Sequence, residues 1–401
     1  MSSTSVLSRP QQPPVLPEDL VSMDTLIYLG FNEEVAHRLW QDRCKWLVRA
    51  HATLISDQLN ESFLGAITDH LYEDGLESNT CDDNDRAWHK CMNDCGLNWP
   101  TKRAIMDSLF KKTRLTQSCL HWVRDTIELR FKALQEVLAA DAASEDQAAQ
   151  PTSEEDPVPR PSQPEETAMS EAVLRAAENP SDTTITLYKG IDRASVDHLF
   201  GDTGDLSRIS ALATAPPTDV CDFSSAYYFY VDRDVAENQA CYIRRRSYLT
   251  RVVLVQATIQ RSMLETGYEG PRRQEVYWPS EDWKRLVFHC RRKDEIPQDL
   301  ARYMDARLVI ATAAGRPTRH FVRGVNGPDD ITEGMVLKNK HGEDAIQYCF
   351  RRYDADYFLA QHAELRMLPF TEMEYRAWCV ETRDEPYKDI PPLVLPCRCV
   401  L

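Results

Sequence analysis

The segment from Asp141 to about Glu166 is built almost wholly from Ala, Ser, Glu, Asp, Gln, Pro and Thr, with no aromatic and nearly no aliphatic side chain. Such a stretch buries too little apolar surface to offset the entropy of ordering it. It cannot join a core, and so it divides the 401-residue chain in two. Proline and charge repulsion keep it extended, as in a flexible acidic linker. At this length a single core is also improbable. The expected organisation is a disordered tail over 1–17, a helical domain over 18–140, a disordered acidic linker with a short helix over 141–180, and an α+β domain over 181–401.

Before the linker the apolar period is helical. Phe31, Val35, Leu39 and Trp40, then Trp46, Leu47 and His51, recur three and four apart and form one stripe. Asn32 ahead of Glu33 and Glu34 is placed to cap that helix, and the acids suit its positive end. Pro100 with Thr101 marks the start of a helix carrying Ile105, Leu109 and Phe110, and a longer one runs through Leu120, Val123, Ile127, Phe131, Leu134 and Leu138. A small helical bundle follows.

After the linker the period changes. Thr184 to Tyr188 alternates as a half-buried strand ending at Gly190, and Arg251 to Ala257 is a run suited to a buried strand. Further strands fit Arg307 to Thr312 and Ala345 to Phe350, while short helices fit Ser195 to Phe200, Asp234 to Arg245 and Glu281 to Cys290. Strands and helices do not alternate strictly, which argues for α+β with a mainly antiparallel or split sheet.

A net charge of −16 repels a phosphate backbone, so nucleic acid is not an expected partner. The first twenty residues lack a basic region followed by an apolar one, and no run of ~18 apolar residues occurs, so neither export nor membrane insertion is expected. The 12 cysteines show no small-scaffold spacing, which suits reduced thiols in a cytoplasmic or nuclear setting. The ending Cys397-Arg398-Cys399-Val400-Leu401 has Arg398 where prenylation needs cysteine.

Cys81, His89, Cys91 and Cys95 are potential zinc donors, but their spacing matches no paired zinc motif, and they read as core or surface cysteines. No metal site is expected. Arg244-Arg245-Arg246 and Arg291-Arg292-Lys293 each end a helix, where cations complement the dipole; a pyrophosphate-like anion is the alternative ligand. GxGxxG, GxxxxGK[ST], GxSxG and HExxH are all absent. Glu275, in a polar-to-aromatic stretch, reads as a solvated acid on a strand edge or as a carboxylate on a mobile loop. The aromatics from Tyr277 to Trp283 read as loop anchors.

Three strand-associated motifs remain. These are Leu187-Tyr188-Lys189-Gly190, the segment Asp222 to Phe229 leading into a helix with Ala236 and Ala240, and Gln347-Tyr348-Cys349-Phe350. In order and character they resemble the ADP-ribosyltransferase fold of the poly(ADP-ribose) polymerase type. The stretch from Leu187 to about Leu359 is also similar to a widespread group of fungal proteins.

The resemblance implies a split β-sheet and NAD as cofactor. It sets Lys189 at the family's histidine, Tyr228 at the tyrosine that stacks on nicotinamide, and Gln347 at the family's catalytic glutamate. Tyr188, Gly190 and Tyr227 flank that site, with Gly190 and nearby backbone holding the nicotinamide amide. Cleaving the nicotinamide–ribose bond passes through an oxocarbenium-like state that a carboxylate stabilises. A glutamine orients the ribose hydroxyl without contributing charge. Ala226, where the family has glycine, adds a methyl group close to the ring. The expectation is a diverged ADP-ribosyltransferase-like protein. If active, it is an NAD-dependent transferase or NAD glycohydrolase. The alternative is an adaptor whose helical region recruits a protein partner, or an accessory protein of a fungal metabolic gene cluster.

Overall fold

The computed structural model describes residues 16–42, 56–148, 183–201, 206–216, 218–221, 224–266, 273–351 and 355–382. Within them the protein is mixed α+β, with helices first and a seven-stranded sheet after. Trp46, Leu47 and His51 of the expected helical stripe lie outside these residues, as do 149–180 of the expected linker.

The helical region begins with Met23–Leu29 and Glu33–Gln41. Asn32 caps the second of these as expected, accepting from Val35 N at 2.9 Å. Ser56–Gly75, Asp85–Asp94 and Trp99–Ile105 follow, the last capped by Asn98 with Pro100 in its first turn. Two expected boundaries are corrected. Leu16, placed in the disordered tail, packs against the core. The long helix runs Cys119–Ala148, well into the segment read as linker. Alanines such as Ala139, Ala140 and Ala142 are the strongest helix formers, and an established helix propagates through them without needing a core.

The strands are β1 Thr184–Asp192, β2 Tyr227–Tyr230, β3 Val252–Gln260, β4 Arg273–Val276, β5 Leu308–Thr312, β6 Ile346–Phe350 and β7 Ala363–Phe370. Their order is β4-β5-β6-β2-β1-β3-β7, and every neighbouring pair is antiparallel except β4 with β5. The expected helix over Ser195 to Phe200 is only a 3-10 turn, Ala194–Val196, because Asp192 caps the chain tightly there. Its carboxylate accepts from Ser195 N at 2.8 Å and Ser195 Oγ at 2.7 Å.

The sheet carries different cover on its two faces. On one, helix Arg233–Arg246 lies over β1 and β3, and helix Glu281–Arg292 covers the β5 and β6 side with Trp283 and Leu286. On the other, Leu212, Leu264, Phe358 and Leu359 close over Leu187, Phe229, Val255 and Phe350.

The two halves of the sequence do not form two separate cores. Leu26, Trp88, Trp122 and Phe131 of the helical region belong to the same buried cluster as Tyr188, Tyr242, Leu254 and Phe370 of the sheet region. Arg246 is the main polar tie. Its guanidinium lies 4.6 Å from the centre of the Trp122 ring and 4.4 Å from that of Tyr242, and it meets Asp125 Oδ2 at 2.5 Å. Arg130 in turn donates to Arg246 O at 2.9 Å and to Leu29 O at 3.1 Å.

Candidate functional site

β2 is a run of Tyr-Tyr-Phe-Tyr, residue types that favour a pleated, half-buried surface. All four of its residues pair with β6, from Tyr227↔Phe350 to Tyr230↔Gln347. With β1 it shares only Tyr188↔Tyr230, whereas β1 and β3 are paired from Thr184↔Gln260 to Asp192↔Val252. The sheet is therefore nearly parted between β1 and β2.

Side chains of directly paired residues point to one face, and faces alternate along a strand. Tyr188, Tyr230 and Gln347 thus form a row on the face covered by helix Arg233–Arg246. Tyr228, two residues before Tyr230, shares this face opposite Cys349. Gly190 is on it as well. Lys189 and Tyr227 are on the opposite face, with Leu187 and Phe229. Of the residues named from the sequence, Tyr188, Gly190, Tyr228 and Gln347 are brought to one side and Lys189 and Tyr227 are not.

Gln347 is 3% exposed, and its Nε2 donates to Asp219 Oδ2 at 2.7 Å. Asp219 Oδ2 also accepts from Ala314 N at 2.8 Å, while Oδ1 accepts from Arg291 Nε at 2.7 Å and contacts Arg291 Nη2. All three side chains are buried. The carboxylate is therefore held by two guanidinium nitrogens on Oδ1 and by a backbone N–H and the glutamine amide on Oδ2, which is what a buried charge requires. Gln347 serves this arrangement with the group that was expected to orient a ribose.

Tyr228 is likewise committed. Its hydroxyl lies 2.5 Å from Thr218 Oγ1, and Thr218 Oγ1 donates to Cys221 O at 2.9 Å, so the tyrosine donates to the threonine. Burial first, then the neighbouring Cys349 and Cys221, hold the phenol well above its ordinary pKa, and it stays neutral. Gly190 has a packing reason to be glycine. A Cβ there would lie 2.1 Å from Ala236 O and 2.9 Å from Ala240 N, so helix Arg233–Arg246 fills the space a side chain would take. Ala226 is buried and pairs with Thr214; Asp222 and Phe223 of the same motif lie outside the described residues.

On the other face, Tyr227 donates to Asp356 Oδ1 at 2.6 Å. Lys189 Nζ donates to Thr214 Oγ1 at 3.0 Å. Burial pulls the Lys189 ammonium from 10.5 down to about 8. Below pH 8 the folded protein carries a poorly solvated charge; between about 8 and 10.5 the unfolded chain holds more protons, so stability rises with pH across that window. Lys189→Met, which keeps the stem and removes the charge, is expected to stabilise the protein by about 1–3 kcal/mol at pH 7 after allowance for partial exposure. The gain should vanish near pH 10.5, as read from paired urea midpoints.

The other constellations are dispersed. Glu275 stands on β4 at the sheet edge, exposed, and accepts from Tyr277 Oη at 2.8 Å. Its register through Ile310 and Tyr348 puts it on the face away from Gln347. It therefore shares no site with Gln347. Trp283 is fully buried with Nε1 donating to Thr312 O at 2.8 Å, and Trp278 packs edge-on against it, so these aromatics anchor the loop.

The arginine triplet does not gather an anion. Arg244 pairs with Glu372, Arg245 with Asp107 and Arg246 with Asp125. Arg292 bonds Asp294 and the carbonyls of Phe321 and Val322. Of the four candidate zinc donors, Cys91 and Cys95 sit together in the hydrophobic core, and His89 stacks on Trp99 instead.

Sequence reasoning missed Asp219. The one local sign is an acid set between Thr218 and the apolar Val220 and Cys221, with its partners far along the chain. Comparison of the chain with protein-family models, curated proteins and solved structures returns no match.

Proposed function

We propose that the chain is a diverged ADP-ribosyltransferase-like protein that has given up NAD chemistry and acts by binding a protein partner. Support for the fold relationship comes from the adjacency of the three motif-bearing strands, β1, β2 and β6, from the near parting of β1 and β2, and from the alanine-bearing helix after β2. The observation that carries the loss of chemistry is Gln347, whose amide is buried against Asp219 and Arg291. A neutral group already committed to a structural carboxylate offers nothing to a developing oxocarbenium ion. On this reading the helical region is the partner-binding element. Its exposed Tyr72 and Leu76 border a cleft lined by Leu71, Asn79, Leu120 and Arg124.

Incubating the full chain with NAD and measuring released nicotinamide tests this reading. Wild type is expected to stay at background, and so is Gln347→Glu, although the latter restores the family's residue type. That substitution sets a second carboxyl group beside Asp219 in a dry environment, so it should also lower stability by about 2–4 kcal/mol. Turnover by either protein would show that the row of Tyr188, Tyr230 and Gln347 opens to ligand.

A further inference from the structure

Where the helical region meets the sheet region, Cys81, Asp82 and His320 bring a thiol, a carboxylate and an imidazole together, with ligand atoms all within 4.8 Å of one another. We propose that these three residues bind a zinc ion, with a solvent molecule or small anion as fourth ligand. The site takes one residue, Cys81, from the cysteine group singled out in the sequence, but with partners that only the fold supplies.

His320 is the independent sign of a missing ligand. Both of its ring nitrogens are buried and neither has a hydrogen-bond partner; Nδ1 is 3.8 Å from Asp82 Oδ1, too long for a hydrogen bond. Buried polar atoms left in this way are uncommon and call for an explanation. Burial first, then Arg316, lowers the imidazole's pKa, so a lone pair is available for a metal at neutral pH.

The loop that presents the other two donors is held in place. Asp82 N donates to Thr80 Oγ1 at 3.3 Å and Trp88 Nε1 donates to Asp82 O at 2.8 Å, while Asn84 caps the helix that follows. Tetrahedral zinc with bonds of ~2.0–2.3 Å puts its donors ~3.3–3.8 Å apart. Asp82 Oδ1 and His320 Nδ1, 3.8 Å apart, already stand at the upper end of that spacing.

The donor types select the metal. Thiolate with imidazole favours zinc over the hard cations that prefer oxygen. Binding displaces the thiol proton: Cys81 S–H and Zn²⁺ give a sulfur–zinc bond and a released H⁺. Burial and Asp82 raise the Cys81 thiol to about 11, and Arg319, Arg316 and Arg323 act against them. Because binding releases that proton, affinity should rise with pH. Those arginines also oppose a bare dication, but thiolate and carboxylate offset its two charges, and the guanidiniums then favour an anion or hydroxide in the open position.

The test uses the reduced full chain with Cys44, Cys397 and Cys399 changed to serine, and cobalt(II) as a spectroscopic probe displaced by zinc. One equivalent of cobalt is expected to give a thiolate-to-metal charge-transfer band. Cys81→Ser should abolish it, His320→Gln and Asp82→Asn should weaken binding at least tenfold, and Cys91→Ser should leave it unchanged. Absence of the band, its survival in Cys81→Ser, or its loss in Cys91→Ser would overturn the proposal. Because Cys81 is buried, the exposed Asp82 provides a readout free of folding effects. Unchanged affinity in both Asp82→Asn and His320→Gln would equally reject the site.

Discussion

Replacing Asp219 with alanine is expected to destabilise the protein by about 3–5 kcal/mol. Three groups lose their acceptor at once. Arg291 becomes a buried cation without its carboxylate, and the Gln347 amide and Ala314 N–H are left without a bond in a place water does not reach. Asp219→Asn keeps an acceptor oxygen but removes the charge, so its cost should fall between wild type and alanine. Arg291→Met combined with Asp219→Asn should cost less than the sum of the two single changes, since neither then strands a charge. Denaturant midpoints of the four proteins give the coupling directly. Additive effects would mean that the guanidinium and carboxylate do not act as one unit.

Arg246→Ala is the second large effect, about 2–4 kcal/mol. It removes a cation stacked between Trp122 and Tyr242, its bond to Asp125, and the packing of its stem. The consequence reaches beyond stability, because this residue joins the helical region to the sheet. Wild type is expected to unfold in one transition, with far-UV and near-UV signals coincident. In Arg246→Ala the transition should move to lower denaturant and still remain single, since the apolar contacts of the shared core persist. Two well-separated transitions in wild type would contradict the shared core.

That shared core marks a limit of what the sequence discloses. The composition of 141–166 identifies a segment unable to pack, and the apolar stripes identify helices on one side and strands on the other. A stripe, however, carries no address. Phe131 and Leu134 would look the same whether they faced another helix or the sheet.

Within the sheet region, β1, β3, β5 and β6 are legible from alternation or from buried runs. β7 is not. Ala363, Leu365 and Met367 do alternate with Glu364 and Arg366, but Pro369 interrupts the run, which suits an edge strand and reads as loop. The Glu372–Thr382 helix goes unseen for a related reason, since it buries only Tyr375 and Cys379.

The site divides along the same line. Tyr228 and Gln347 each lie in a sequence motif, and their strands do lie side by side. Lys189 fails on parity: one step from Tyr188 is enough to turn it to the opposite face, and the parity is fixed only by the pairing of Tyr188 with Tyr230. Asp219 had no motif to announce it. Its partners follow 72 and 128 residues later, and only the closed fold brings them within bonding distance.

Whether the face carrying Tyr228 and Gln347 is closed to NAD separates a binding protein from an enzyme. Calorimetric titration of millimolar NAD into the full chain should give no saturable heat, and the melting temperature should not move. A saturable heat in wild type that disappears in Tyr228→Ala would mean that the tyrosine ring leaves its bond to Thr218 and stacks on nicotinamide, and the reading of a face closed to NAD would then be wrong.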